Sequence, residues 1–146
     1  MARAITTFCC VVAIVVSAAI AAPAAAEPVS IGDTKAVRAV VEAQLAAFAA
    51  DDAKRAFSYA APAIREMFGT PERFVAMVRA GYPVVYRPSN INFLHPVWID
   101  GQLVQGVHLT DGDGTLWLAI YRLERQADKS WRISGCDLQP ASGKST

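Results

Sequence analysis

The carboxylate best placed to act as a catalytic base is Asp137, which stands near the end of the chain between Cys136 and Leu138. A cofactor-free isomerase needs a carboxylate base in an apolar cavity and a hydroxyl donor that faces the developing oxyanion. No fixed spacing joins Asp137 to such a donor, so the alternative is an Asp137 that faces solvent or pairs with an arginine. The tyrosines that could donate, or could simply be core rings, are Tyr59, Tyr82 and Tyr121.

The two histidines, His95 and His108, are the natural candidates for a metal site. They lie on different predicted strands and His95 precedes a proline, so the ligand pattern of a zinc site is missing. The segment 111–114 (DGDG) resembles the start of a calcium loop. Thr115 and Arg122 stand where that loop needs acidic ligands, so we expect a hairpin turn there and no bound metal.

Motifs for other chemistries are missing from the sequence. It has no Gly-x-Ser-x-Gly elbow, phosphate loop, Cys-x-x-Cys pair or dinucleotide fingerprint, so we expect no cofactor. Four arginines could line an anion site, but their spacings do not place them on one helix face. We therefore expect solvated charges at Arg65, Arg73, Arg79 and Arg87.

A long first helix is predicted over residues 34–50, because apolar residues recur there at intervals of three and four. Asp33 or Thr34 can cap this helix. The preceding residues, 27–33, are short, polar and interrupted by proline, which predicts a flexible arm.

Shorter helices follow. Asp51 and Asp52 can cap one of them, and Pro62 starts a further helical turn that ends at Gly69. The segment 70–81 begins with threonine and proline and ends in glycine, which is typical of a complete helix. Residues 82–88 contain two prolines and predict an extended crossover.

After residue 89 the apolar period changes from 3.6 to 2, which indicates strands. Short turns join the strands, so they are antiparallel. Helices followed by strands predict an α+β fold, with N-terminal helices packed on a bent four-stranded antiparallel sheet. The single domain spans 34–138 and a polar tail spans 139–146; the predicted strands cover about 90–93, 103–109, 115–123 and 131–138.

The strand at 115–123 is apolar on both faces, whereas a sheet with one solvated face alternates apolar and polar residues. We expect one face to meet the helices and the other to meet a second subunit or to curve around a ligand cavity. Trp117 and Tyr121 are expected on the face away from the first helix, or at the bend of the sheet. The other face carries Leu116, Leu118 and Ile120.

The N-terminus has the three parts of a secretory signal peptide: Arg3, an uncharged apolar run at 8–22, and small residues at 24–26. We expect cleavage between Ala26 and Glu27, and a periplasmic or secreted protein. A retained membrane anchor is the alternative, because the uncharged stretch nearly reaches the roughly 20 residues needed to span a bilayer. After cleavage we expect no stable membrane insertion.

Of the 146 residues, 14 are basic and 13 acidic. Removing residues 1–26 removes Arg3 and leaves 13 of each sign. A chain without a basic surplus is not typical of a nucleic-acid binder. Cleavage also leaves one cysteine, Cys136, and therefore no internal disulfide. Its apolar neighbours predict a buried thiol.

This order of elements resembles the nuclear transport factor 2-like (cystatin-like α+β) superfamily, whose bent sheet and helices enclose a cone-shaped pocket. At closer range the chain resembles a bacterial family, domain of unknown function 4864. The resemblance lies in AAFAADDAKRAFSYAAPAIREMFGTPERFVAMV, then GYPVVYRP, then SWRISGCDL. The superfamily includes isomerases, dehydratases, epoxide hydrolases and binding modules, so the fold alone does not give the function.

We therefore expect a small exported domain that binds a small apolar ligand or a protein partner without catalysis, and that forms a homodimer. One alternative is a cofactor-free isomerase or dehydratase that uses Asp137 as base with a tyrosine donor. The other is a purely structural interaction module. The residues expected to converge on the pocket are Tyr59, Tyr82, Phe93, His108, Tyr121 and Asp137.

Overall fold

The computed structural model describes residues 27–141. The predicted signal peptide lies outside the described residues, at 1–26, and so do residues 142–146 of the tail. The predicted cleavage site lies at the limit of the described residues. No helix within 27–141 combines the length and the apolar character that crossing a bilayer requires. The elements are α1 (Ile31–Ala49), α2 (Ala53–Ser58), α3 (Pro62–Phe68), α4 (Pro71–Gly81), α5 (Pro83–Tyr86), β1 (Asn90–Phe93), β2 (Val97–Ile99), β3 (Gln102–Thr110), β4 (Leu116–Arg125) and β5 (Trp131–Pro140).

The strands form one antiparallel sheet in the order β1–β3–β4–β5, and β2 also pairs with β3. Phe93 pairs with Val107, and Val97 pairs with Val104. The edge strand therefore advances by four residues where β3 advances by three. β1 and β2 are thus two parts of one edge strand, separated by a bulge that contains Pro96, where proline is tolerated. The sequence predicted four strands; β2 is the additional fifth.

Helix α1 packs its apolar stripe on the sheet and confirms the α+β prediction. Val37, Val41, Leu45 and Phe48 are at most 2% exposed. Their spacing places them on one face of the helix. The core that they form extends to Leu103, Val107, Leu109, Ala119, Tyr121, Leu123 and Ile133 of β3, β4 and β5.

The prediction of a flexible arm over 27–33 is wrong for its last three residues, because α1 begins at Ile31. Ser30 is the N-cap, and its hydroxyl accepts a hydrogen bond of 3.0 Å from the Asp33 amide. Asp33 lies in the first turn and forms an ion pair with Arg125 of β4. Glycine has a low helix propensity, so Gly32 concealed the beginning of α1 from a sequence-based prediction. The cap and the ion pair stabilise this beginning.

The segment predicted as an extended crossover contains a short helix, α5, with Pro83 in its first turn. Val84, Val85 and Tyr86 are all buried. Proline is favoured at the first helical position, and the apolar residues after it pack into the core. Tertiary packing therefore decides this segment in favour of a helical turn.

Of the two positions expected for Tyr121, the face away from the first helix and the bend of the sheet, the first is wrong. Tyr121 is 1% exposed and belongs to the core shared with α1. Trp117, two residues earlier, also packs against this core. Both faces of β4 are apolar. Alternation along the strand therefore separates its residues into two sets, but it does not show which set faces the helices. The outer face carries Leu116, Leu118 and Ile120.

The position of the helix start gives a direct test. Replacing Ser30 with alanine should lower the free energy of unfolding by about 1 kcal/mol, because the cap accepts a hydrogen bond from an otherwise unpaired amide. Thr34→Ala is the matched control, since Thr34 lies inside the helix and should change stability by less than about 0.5 kcal/mol. Urea unfolding of both variants is the measurement. A larger effect of Thr34→Ala would place the cap where the sequence had predicted it.

Candidate functional site

A cavity of about 340 Å³ lies between the helices and the β5 side of the sheet. Helices α1, α3 and α4 form one wall, and residues of β4 and β5 form the other. Met67, which is 76% exposed, marks the place where the cavity meets solvent. Most of the lining is apolar, including Phe48, Phe68, Phe74, Met77, Val78 and Ile133.

Phe74 of α4 fixes the helical wall of the cavity. Its ring lies 6.0 Å from Phe48, 5.4 Å from Phe57 and 5.6 Å from Phe68, measured between ring centroids. Tilted and edge-on aromatic pairs at these distances are favourable. Phe74 thus connects α1, α2, α3 and α4 at one point beside the cavity.

The sheet wall of the cavity contains Tyr121 at the centre of β4. Its hydroxyl has no hydrogen-bond partner within residues 27–141, although the side chain is almost fully buried. Cys136 stands directly opposite Tyr121 in the β4–β5 register. The thiol is near enough to the hydroxyl to raise the pKa of Tyr121, but no hydrogen bond of acceptable distance and angle joins the two groups. Burial is the main cause that raises the pKa of Tyr121 well above its usual value, so the hydroxyl stays protonated at neutral pH.

Cys136 is half-buried and forms part of the sheet wall of the cavity. Burial, and then the charge of Asp137, raise the pKa of its thiol to about 12. Thiol reactivity requires the thiolate, so Cys136 is not a nucleophile at neutral pH. The sequence predicted a buried thiol, and the structure shows one that is half-buried.

Asp137 lines the cavity but does not have the surroundings of a catalytic base. Its side chain is 63% exposed and forms an ion pair with Arg122 across the strands. An apolar site strengthens a carboxylate base by raising its pKa. This requires a buried carboxylate without a cationic partner. The structure matches the alternative that the sequence left open, in which Asp137 pairs with an arginine.

Of the six residues expected at the pocket, three line the cavity: Tyr82, Tyr121 and Asp137. The other three lie elsewhere. The Tyr59 hydroxyl accepts a hydrogen bond of 3.4 Å from Arg55. The ring of Phe93 lies under Arg38, at 4.8 Å from the guanidinium carbon. His108 belongs to the outer face of the sheet, opposite Asn92 and Leu118.

The sequence analysis missed Gln44 as a cavity residue. Gln44 is 3% exposed, and its side-chain amide donates a 3.1 Å hydrogen bond to the Ala56 carbonyl oxygen. A signal for it was present, because Gln44 is the polar member of an otherwise apolar helical stripe. A buried glutamine needs hydrogen-bond partners, and here the last turn of α2 supplies one.

A second cleft, of about 630 Å³, lies between the α4–α5 junction and the β3–β4 hairpin. The carboxylate of Asp111 in this cleft is engaged in the hairpin: one oxygen accepts from the amides of Asp113 and Thr115, and the other accepts from the Trp117 indole. The Trp117 hydrogen bond is the main cause that lowers the pKa of Asp111. The hairpin predicted at 111–114 is confirmed.

Two of the four arginines predicted to be solvated converge on Asp51. Arg79 and Arg87 donate to its carboxylate at 3.0 and 2.8 Å, and the Tyr86 hydroxyl also donates to it. Both guanidinium groups lie against the Tyr86 ring. The Tyr86 hydrogen bond is the main cause that lowers the pKa of Asp51. This cluster connects α1, α4 and α5, and its donors are used internally.

No group of three histidine, cysteine, aspartate or glutamate side chains in the described part of the chain is close enough to hold a metal ion. The site is thus a mainly apolar cavity with a few polar atoms in its wall. Residues 31–146 match the family described as Domain of unknown function (DUF4864), and the chain belongs to that family. No curated protein and no solved structure matches the chain.

The raised pKa of Cys136 predicts how stability depends on pH. The folded state favours the neutral thiol, so its contribution is complete below about pH 9 and is lost as the pH rises through about 12. Urea unfolding at increasing pH should therefore show a smaller alkaline loss of stability in Cys136→Ala than in the unsubstituted protein. A thiol reagent at pH 8 should react slowly with the folded protein and at once after denaturation. Rapid reaction of the folded protein would contradict the buried, neutral thiol.

Proposed function

We propose that this protein is an exported binding module that holds a small, mainly apolar molecule in the 340 Å³ cavity. The cavity is the observation that carries the proposal. Ligand sites have volumes of about 300–1,000 Å³, with mostly apolar walls and a few placed polar groups.

Binding without catalysis is favoured over the isomerase alternative. Proton abstraction needs a base directed at the substrate, and the exposed carboxylate of Asp137 is paired with Arg122. Nucleophilic chemistry is disfavoured as well, because the thiol of Cys136 is neutral at physiological pH. The cavity thus has the features of a binding site without those of a proton-transfer or thiol site.

The proposal includes the nuclear transport factor 2-like cone as the architecture and the periplasm or the extracellular space as the location. The α+β order, the bulged edge strand and the cavity between helices and sheet support the cone. The charged start, apolar run and small residues of 1–26 support export.

The cavity can be filled to test the function. A screen of small, uncharged, apolar fragments by two-dimensional NMR should give hits whose shifts centre on the cavity wall. Met77→Trp should weaken these hits at least tenfold, because the larger side chain projects from α4 into the cavity. Ala76→Trp is the matched control, since Ala76 is exposed on the same helix and should leave binding unchanged.

Melting curves of both tryptophan variants establish that each one is folded. Fragments that perturb only the outer surface, or that bind Met77→Trp as well as the unsubstituted protein, would refute the cavity as the binding site.

We further propose that a second copy of the chain covers the outer face of the sheet. Leu116, Leu118 and Ile120 form an apolar row there, and Arg122 and Asp137 lie beside it as an ion pair. A two-fold contact apposes one patch to itself, so a patch with an apolar centre and both signs of charge at its margin suits a homodimer.

Light scattering should give about twice the monomer mass, and Leu118→Arg should shift the protein to the monomer. A stable interface buries about 800 Å² on each partner, and a charge at its centre would be left without a partner. Ala76→Arg, on an exposed helix face, should leave the mass unchanged. A monomer at high concentration would exclude the dimer.

A further inference from the structure

The polar groups in the cavity wall differ in how far their hydrogen-bonding capacity is used. Gln44 donates to the Ala56 carbonyl oxygen, and the Ser134 hydroxyl donates to the Arg122 carbonyl oxygen at 3.2 Å. The Arg122 guanidinium is paired with Asp137. These groups are committed to the protein itself, whereas Tyr82 is half-buried and can bond to solvent.

Tyr121 is the exception. Its hydroxyl is buried and has no partner in the described part of the chain. Such a group is costly because it loses its hydrogen bonds to water and gains none in the protein, and buried hydroxyls without a partner are uncommon in folded proteins. A phenylalanine ring would fill the same place without that cost. The hydroxyl therefore calls for an explanation outside the folded chain.

We infer that the Tyr121 hydroxyl donates a hydrogen bond to an uncharged carbonyl-type oxygen of the molecule bound in the cavity. This inference rests on the proposed binding function and specifies the class of its ligand: a small apolar aldehyde, ketone, ester or amide. Tyr121 faces the helices from the middle of β4 and forms part of the cavity wall. The hydroxyl is enclosed in the structure and makes no hydrogen bond within residues 27–141, so the inferred bond requires the ring edge to turn toward the cavity when the ligand binds.

An uncharged acceptor suits the wall better than a carboxylate does. The Arg122 guanidinium pairs with Asp137 on the outer face of the sheet, the face that carries Ile120, so its charge does not serve a ligand in the cavity. A buried carboxylate without a cation loses far more hydration energy than a ketone does. The phenol is a hydrogen-bond donor at physiological pH, since burial disfavours its ionised form.

Three probes of nearly equal shape separate these possibilities: acetophenone, α-methylstyrene and benzoate. The first has a carbonyl oxygen where the second has a methylene group, and the third carries a negative charge. Titrations followed by NMR give the dissociation constant of each for the protein and for Tyr121→Phe. The protein is produced from its full coding sequence.

We expect Tyr121→Phe to weaken acetophenone binding about fivefold, the factor that corresponds to one hydrogen bond of about 1 kcal/mol. Binding of α-methylstyrene should change by less than twofold. Benzoate should bind the unsubstituted protein at least tenfold more weakly than acetophenone. Equal effects of Tyr121→Phe on acetophenone and α-methylstyrene, or tighter binding of benzoate, would overturn the inference while leaving the cavity as a binding site. Absence of binding by all three, together with no cavity hits in the fragment screen, would overturn the proposed function itself.

The stability of ligand-free Tyr121→Phe is a second, independent readout. A hydroxyl without a partner predicts that this variant unfolds at the same temperature as the unsubstituted protein or higher. A clearly lower melting temperature would mean that Cys136 or an enclosed water satisfies the hydroxyl in the free protein, and the inference would then be wrong.

Discussion

Two backbone hydrogen bonds form a bridge between the helical layer and the edge strand β5. The bridge fixes the distance between the helices and the sheet, on which the rest of the structure depends. The Ala61 amide donates to the Ile133 carbonyl oxygen, and the Ile133 amide donates to the Tyr59 carbonyl oxygen, each at 2.8 Å. The bridge satisfies part of the outer edge of β5, which would otherwise be open to pairing with other chains. Since α3 begins immediately afterwards at Pro62, the bridge also determines where α3 and α4 stand above the sheet, and the cavity occupies the space beside it.

A bulge in β5 gives the cavity its sheet wall. Leu123 pairs with Ile133 and Arg122 pairs with Gly135, so Ser134 is an extra residue between the pairs. Ile133 and Cys136 are three residues apart and would face opposite sides of a regular strand. The bulge brings both to the helical side. Bulges commonly redirect side chains in this way near functional sites.

The same features explain what the sequence could and could not predict. The long apolar stripe of α1 and the hairpin at 111–114 follow from local periodicity and turn chemistry, and both were correct. The start of α1 depends on the Ser30 cap and on an ion pair with Arg125, 92 residues further along the chain. The face of Tyr121 depends on the register and bulges of the sheet, because both faces of β4 are apolar. Long-range contacts of this kind leave no local pattern in the sequence. Of the six residues expected at the cavity, the structure therefore places three there, Tyr82, Tyr121 and Asp137. The other three, Tyr59, Phe93 and His108, lie elsewhere.

Interior polar groups in the described part of the chain show why Tyr121 is the informative one. Gln105, which stands opposite Tyr121 on β3, donates to the carbonyl oxygens of Leu94 and Gly106 at 2.7 and 2.9 Å and so holds the bulge of the edge strand. Gln44 holds the last turn of α2 in the same manner. Each of these buried amides stabilises a bend that backbone hydrogen bonds alone leave incomplete. The hydroxyl of Tyr121 stabilises no such bend, although it lies among them on the same core face. In the proposed binding function, its energetic cost is offset when a molecule in the cavity supplies the acceptor.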